Sequence, residues 1–333
     1  MAPVTFKALM VEEADQGRFT RRIVERSTTD LPPGDVLVRV AYSSINYKDV
    51  LSATGNRGVT RRYPHTPGID AAGVVEESDS ERFHPGDAVI VTSYDLGMNT
   101  AGGFGQFIRV PAEWVVPLPA GLTLRESMIY GTAGFTAALS ILALVENGLT
   151  PAAGEVLVSG ATGGVGGLAV AMLSNIGFRV AAINGHVDQS GYLGQLGAGR
   201  IIAPEEAIDG SGRALLKAVW AGSVDSVGGE VLATTLKSTA PYGVVTCCGN
   251  AASAELPINV YPFILRGVRL IGIDSQNCPM PLRRKAWEMI AGAWKVKQAE
   301  AMVEEVPLAG LDEAIEKMVA RRRKGRTIIN LQQ

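Results

Sequence analysis

Glu155-Val156-Leu157-Val158-Ser159-Gly160-Ala161-Thr162-Gly163-Gly164-Val165-Gly166-Gly167-Leu168 decides the fold. A short apolar run ends in a glycine-rich turn, and an apolar helical stretch from Gly166 to Ile176 follows. Glycines admit the positive φ angles of a tight turn and let backbone amides approach a phosphate. The unpaired N–H groups and positive dipole end of the helix then seat the anion. The spacing Gly160-x-x-Gly163-x-x-Gly166 departs from the strict Gly-x-Gly-x-x-Gly pattern. A turn that binds nothing is the plain alternative, but the strand before it and the helix after it favour a dinucleotide site. Thr162, Gly163, Gly164 and Val165 are its expected contacts.

Working outward, strands are expected at 155–159, 179–183, 200–202, 223–227, 243–247 and 268–273, alternating with helices. The helices are placed at 166–176, 189–196, 212–220, 229–236 and 261–266. Six strands in βα alternation predict a doubly wound parallel sheet. The first third is different: short β-branched runs such as 35–40 and 88–91 stand between Gly and Pro turns and predict a β-rich domain. After helices at 282–294 and 311–323, the strand-like Arg326–Leu331 is expected to return to that domain. The division predicted is 1–127 with 275–333, and 128–274.

The end of the second parallel strand separates the two nicotinamide dinucleotides, because a carboxylate there binds a ribose 2′-hydroxyl and repels a 2′-phosphate. This chain has Asn184-Gly185-His186-Val187-Asp188 there, and Arg200 further on. Asn184, Gly185, His186 and Arg200 therefore point to NADPH, with Asp188 assigned to capping the next helix. A solvated loop histidine is the alternative for His186.

The 31 basic and 33 acidic side chains leave a formal charge of −2, so no polyanionic partner is called for and nucleic acid is not expected. No apolar signal core opens the chain, and no uninterrupted apolar run is read as approaching the ~20 residues of a membrane span. A cytoplasmic location is the expectation. The 3 cysteines, Cys247, Cys248 and Cys278, make a poor disulfide framework and read as buried small apolar side chains. A catalytic zinc needs about three protein ligands, and only His65, His84 and His186 offer imidazoles, so no metal is expected. His84 reads as a turn residue and His65 as exposed. A Gly-x-Ser-x-Gly elbow and a P-loop are both absent.

Ser43-Ser44-Ile45-Asn46-Tyr47-Lys48-Asp49, Pro67-Gly68-Ile69-Asp70-Ala71-Ala72-Gly73 and Gly131-Thr132-Ala133-Gly134-Phe135-Thr136-Ala137, with the glycine turn, resemble the medium-chain dehydrogenase/reductase superfamily. More closely they resemble its acryloyl-CoA reductase branch, also labelled the YhdH/YhfP quinone oxidoreductase family, and the likeness covers nearly the whole chain. The resemblance implies an α/β protein: a GroES-like β-rich catalytic domain plus a Rossmann cofactor domain, commonly as a homodimer. It implies NADPH-dependent, zinc-free reduction of the conjugated double bond of a small acyl-CoA substrate, acryloyl-CoA giving propanoyl-CoA. Tyr47 matches the family's cofactor-contacting tyrosine, placed to hold the nicotinamide ribose or carboxamide or to donate the proton; a core tyrosine is the alternative. Asn46 is assigned as an amide donor, and Lys48 and Asp49 as structural pairs. Asn250, Ile273 and Ser275 match positions lining the nicotinamide end. A quinone or enone reductase and a non-catalytic dinucleotide-binding sensor are the rival readings. Arg57, Arg61, Arg62 and the 321–324 run are candidates for coenzyme A phosphates, against a solvated helix end for the run.

Overall fold

The computed structural model describes residues 3–185, 189–320 and 322–333. The chain divides into two compact units, one of Met1–Thr132, Gln276–Arg284 and Ala301–Gln333, the other of Ala133–Ser275 and Lys285–Glu300.

The first unit opens with an antiparallel pair, β1 (Thr5–Glu13) and β2 (Phe19–Ser27). Then come β3 (Val36–Ser44), helix α1 (Tyr47–Ala53), β4 (Asp70–Ser78), β5 (Ala88–Thr92), β6 (Phe107–Val110) and β7 (Val115–Pro117). Helix α2 (Leu124–Glu146) follows, broken at Gly131, where φ is 50° and ψ −154°. Residues 127–145 of α2 carry no charged side chain. The helix is thus long and apolar enough to cross a bilayer, contrary to the reading of apolar runs above, but 83% of its apolar window is buried in the protein. Its hydrophobicity is spent on the core.

The second unit holds β8 (Glu155–Val158), α3 (Gly164–Asn175), β9 (Arg179–Ile183), α4 (Ser190–Gln195), β10 (Arg200–Ile202), β11 (Trp220–Asp225), α5 (Gly229–Ser238), β12 (Thr239–Cys247), α6 (Tyr261–Arg266) and β13 (Arg269–Gly272). The six strands form one parallel sheet in the order β10-β9-β8-β11-β12-β13. Val156, Val158, Ala181, Ala182, Val224 and Val245 are buried, as both faces of a parallel sheet require. Strand order reverses direction of growth between β8 and β11, the switch point where such sheets take ligands.

After α7 (Met280–Ala291) come β14 (Val303–Pro307), α8 (Leu311–Val319) and β15 (Arg326–Asn330). β15 lies between β14 and β3 in a seven-stranded sheet ordered β14-β15-β3-β4-β5-β7, with β6 also on β3.

One expected helix is absent: 212–219 is irregular and Trp220 already starts β11. Tertiary bonds draw this stretch out. The Leu216 and Val219 N–H groups donate to the Lys237 and Ser238 carbonyls at 3.0 and 2.8 Å, and Arg266 reaches the carbonyls of Leu216, Lys237 and Thr239.

Candidate active site

In the second unit the loops after β8, β9, β11, β12 and β13 share the carboxyl edge of the sheet. Gly160 has φ +59°, and a Cβ there would strike the Ser226 hydroxyl. Its carbonyl accepts the Gly163 N–H at 3.0 Å, closing the turn. Gly163 then serves as N-cap of α3 without a side chain to occupy the first amides. Gly164, Val165 and Gly166 are the first helical residues, whose N–H groups have no carbonyl partner in their own helix. Gly163 is exposed, and Thr162, Gly164 and Val165 are half-buried. An open helix terminus with no capping side chain is what a pyrophosphate requires.

Asn184 is buried; its N–H donates to the Ile202 carbonyl at 2.9 Å and its amide to Ser190 at 3.3 Å. Gly185 is exposed, with nothing near a would-be Cβ. His186 and the expected cap Asp188 lie outside the described residues, and α4 has Gln189 as N-cap. Asn250 is exposed in the loop after β12, and the Ile273 N–H extends the ladder past β13 to the Cys247 carbonyl at 2.9 Å. Ser275, half-buried, ends the first segment of this unit.

Arg200 does not join this edge. It pairs in register with Ala181, and its guanidinium lies 3.1 Å from Glu155 and 4.8 Å from the centre of the Trp220 ring. Glu155 and Trp220 begin their strands, so the side chain runs to the opposite end of the sheet. The assignment of Arg200 to a 2′-phosphate is therefore corrected.

In the first unit Tyr47 is the first residue of α1 and is 64% exposed, so it is not a core tyrosine. Asn46 caps the helix while Asp49 returns a bond to the Asn46 N–H at 2.7 Å. The Asn46 side chain is buried and committed: it donates to Asp70 at 2.7 Å and accepts from Arg326 at 3.1 Å. Its role as a free amide donor is corrected to that of an anchor beneath Tyr47. Lys48 donates to Gln276 at 2.5 Å.

Asp70 is the centre of this network. It also accepts from the Ser44 hydroxyl at 2.6 Å, the Thr132 hydroxyl at 2.6 Å and the Thr132 N–H at 3.0 Å. That last amide is one the break at Gly131 releases from helical bonding, so the carboxylate caps the second part of α2. Arg326, fully enclosed, lies 3.7 Å from Asp70 and gives two further bonds to the Ile129 and Ile45 carbonyls. Burial lowers the Arg326 pKa against the pull of Asp70 and Asp49. Burial first, and then the Asp70 charge, push the Asp49 carboxyl up to about 7.

In the sequence Asp70 stands out only within a signature and Arg326 only at the head of the terminal strand, neither as a site residue. The available signal was a carboxylate inside a run of small apolar residues, which must be buried and therefore satisfied. His65 is buried rather than exposed: its Nε2 lies 2.9 Å from the Gly97 carbonyl, and burial lowers its pKa. Of the cysteines only Cys278 is fully buried, while Cys247 and Cys248 are half-buried. Among the described residues no three His, Cys, Asp or Glu side chains gather as metal ligands. Arg57 is committed to Glu13 at 2.6 Å and to the Arg61 carbonyl at 2.8 Å, leaving Arg61 and Arg62 exposed. Arg321 lies outside the described residues.

Residues 32–120 match the alcohol dehydrogenase GroES-like domain and residues 164–292 the zinc-binding dehydrogenase family. The chain is 48% identical over 328 residues to the putative quinone oxidoreductase YhfP of Bacillus subtilis, covering 98% of this chain and 99% of that one. This chain belongs to the medium-chain dehydrogenase/reductase superfamily. This chain is also 46% identical to the acrylyl-CoA reductase AcuI of Ruegeria pomeroyi over 92% of its own length and 93% of its relative's. The yhdH oxidoreductase of Salmonella enterica, solved in complex with NADP, matches at a TM-score of 0.94 and 42% identity over 97% of this chain and 99% of that one. B. subtilis yhfP, solved with NAD bound, matches at 0.96 and 46% over 98% and 100%. The GroES-like and Rossmann architecture expected from the resemblance is the one found.

Proposed function

We propose that this chain is an NADPH-dependent, zinc-independent reductase of the conjugated C=C bond of a short 2-enoyl-CoA, converting acryloyl-CoA to propanoyl-CoA. The observation that carries the cofactor assignment is the terminus of α3 at the carboxyl edge of the parallel sheet, where glycine is the N-cap and no side chain bonds the first amides. Relatives named for acrylyl-CoA reduction support the substrate.

Thr162 to Val165 hold the pyrophosphate, and Asn184 and Gly185 line the approach of the adenosine ribose without presenting a carboxylate. When bound there, NADPH would supply the hydride for the β-carbon of the substrate. Tyr47, exposed on a helix start that Asn46 and Asp49 pin, orients the nicotinamide end or delivers the proton to the α-carbon. Hydrogen-bond donors that stabilise the thioester enolate lower the barrier most. Zinc independence rests on the donor set: no cysteine precedes Cys247, and the histidines are scattered along the sequence at 65, 84 and 186.

A quinone or enone reductase is the second reading, favoured by the likeness to YhfP. A panel of acryloyl-CoA, crotonyl-CoA, quinones and simple enones, followed by loss of reduced nicotinamide absorbance, decides between them. Acryloyl-CoA is expected to oxidise NADPH much faster than NADH; turnover of quinones alone overturns the assignment. Tight NADPH binding with no turnover of any acceptor would favour the sensor.

The reductase acts in the cytoplasm as a homodimer. β13 is an edge strand, and beside it Val260, Ile264, Leu265 and Tyr242 are 60, 67, 63 and 76% exposed. A two-fold axis buries one such patch against its own copy.

A further inference from the structure

Asp225 closes β11 with its side chain fully buried, and none of the chemistry above uses it. One carboxylate oxygen accepts the Ser159 hydroxyl at 2.7 Å. The other accepts the N–H groups of Gly228 at 2.8 Å and Val227 at 3.2 Å. Ser159 has then given its only proton, and the same oxygen accepts the Ser226 N–H at 3.0 Å. The Ser226 hydroxyl donates back to the Ser159 carbonyl at 3.2 Å. The loops after β8 and β11 are thereby stitched together at the switch point of the sheet.

The stitched residue stands directly before Gly160. Ser226 also walls the space that a Cβ on Gly160 would enter, and the Gly160 carbonyl in turn holds the Gly163 N–H. A displacement of Ser159 therefore reaches the N-cap of α3 through one residue and one hydrogen bond. Both Asp225 and Ser159 lie beneath the surface and present nothing to solvent. Burial pushes the Asp225 carboxyl up, against the opposing pull of its three donors.

We propose that Asp225 and Ser159 are positioning residues of the dinucleotide site, fixing the spacing between the Gly160–Gly163 turn and the α3 amides that receive the pyrophosphate. This rests on the reading of the chain as an NADPH enzyme. Geometry lost at a phosphate cradle is read directly in affinity.

The test measures the NADPH Kd by nicotinamide fluorescence, together with KM for NADPH, kcat and melting temperature, for the wild type, Ser159→Ala and Asp225→Asn. Both variants are expected to raise Kd and KM for NADPH about tenfold or more, with kcat at saturating NADPH within about threefold of wild type. A merely structural role would lower the melting temperature and leave the affinity of the folded protein unchanged. Should Asp225→Asn fail to fold, Ser159→Ala decides alone, since it leaves the carboxylate its two backbone donors. A Kd within about twofold of wild type in Ser159→Ala overturns the inference. Failure of the wild type to bind NADPH overturns the parent reading instead.

Discussion

Asn46 donates its side-chain amide to Asp70 at 2.7 Å, joining the cap of α1 to the carboxylate that caps the second part of α2. Removing Asp70 strands the enclosed Arg326 guanidinium and the Thr132 amide together. Asp70→Ala is expected to cost about 3–5 kcal/mol of unfolding free energy, the range for breaking a buried pair from one side. Urea denaturation measures it, and a loss below about 1 kcal/mol would show that the network is not a single unit.

Asp49 makes stability depend on pH in a direction unusual for a carboxylate. Its folded pKa stands at about 7 against an ordinary value of 3.8, so the folded chain keeps a proton the unfolded chain has released. Stability from this group is complete below the unfolded value and is lost as pH rises towards 7. His65 acts in the opposite sense, since its folded pKa is lowered. The difference between wild type and Asp49→Asn isolates the carboxyl: the wild type should lose on the order of a few kcal/mol relative to the variant between pH 4 and 7. Parallel pH profiles would contradict this.

Tyr47 is exposed and makes no packing contribution to the core clusters. Tyr47→Phe should leave stability within about 0.5 kcal/mol while lowering kcat/KM by about tenfold or more. A fall in kcat marks the hydroxyl as the proton donor. A rise in KM for NADPH alone marks it as a cofactor contact, and unchanged kinetics remove it from the site.

Gly163 has φ −80°, a conformation open to any residue, and a Cβ there would come 3.3 Å from the Gly160 carbonyl. Gly163→Val should therefore fold with modest loss and still abolish NADPH binding, because the branched side chain occupies the seat of the pyrophosphate. Wild-type affinity in this variant would take the turn out of the site.

The apolar patch on α6 predicts an assembly state. Ile264→Lys combined with Leu265→Glu should yield monomers by light scattering, with the fold intact by circular dichroism. A dimer that persists places the interface elsewhere.

The glycine turn was legible because its signals are local: strand, punctuation and helix follow one another within fifteen residues or so. Residues 212–219 were not legible, because their conformation is set by Arg266 and by carbonyls at the end of α5, which no local propensity records. Arg200 misled for a related reason. Its position in the chain fits a phosphate ligand, and only the register of β10 against β9 reveals that it faces the other end of the sheet. Asp70 and Arg326 meet because β15 returns beside β3, a pairing that a distant terminal strand suggests but whose register it does not state. Asp225 likewise needed two loops brought side by side before its three donors could be seen.

The position of β15 inside its sheet, flanked by β14 and β3, also sets an order of events during synthesis. The parallel sheet is built from one stretch, residues 155–272, and all its strands have been made before β15 emerges. The first unit must wait, with the edge of β3 and the Asp70 pocket open, until Arg326 has left the ribosome. A stop codon shortly before that arginine would leave a translated Rossmann sheet attached to a β-domain that lacks both an inner strand and the cation for its buried acids.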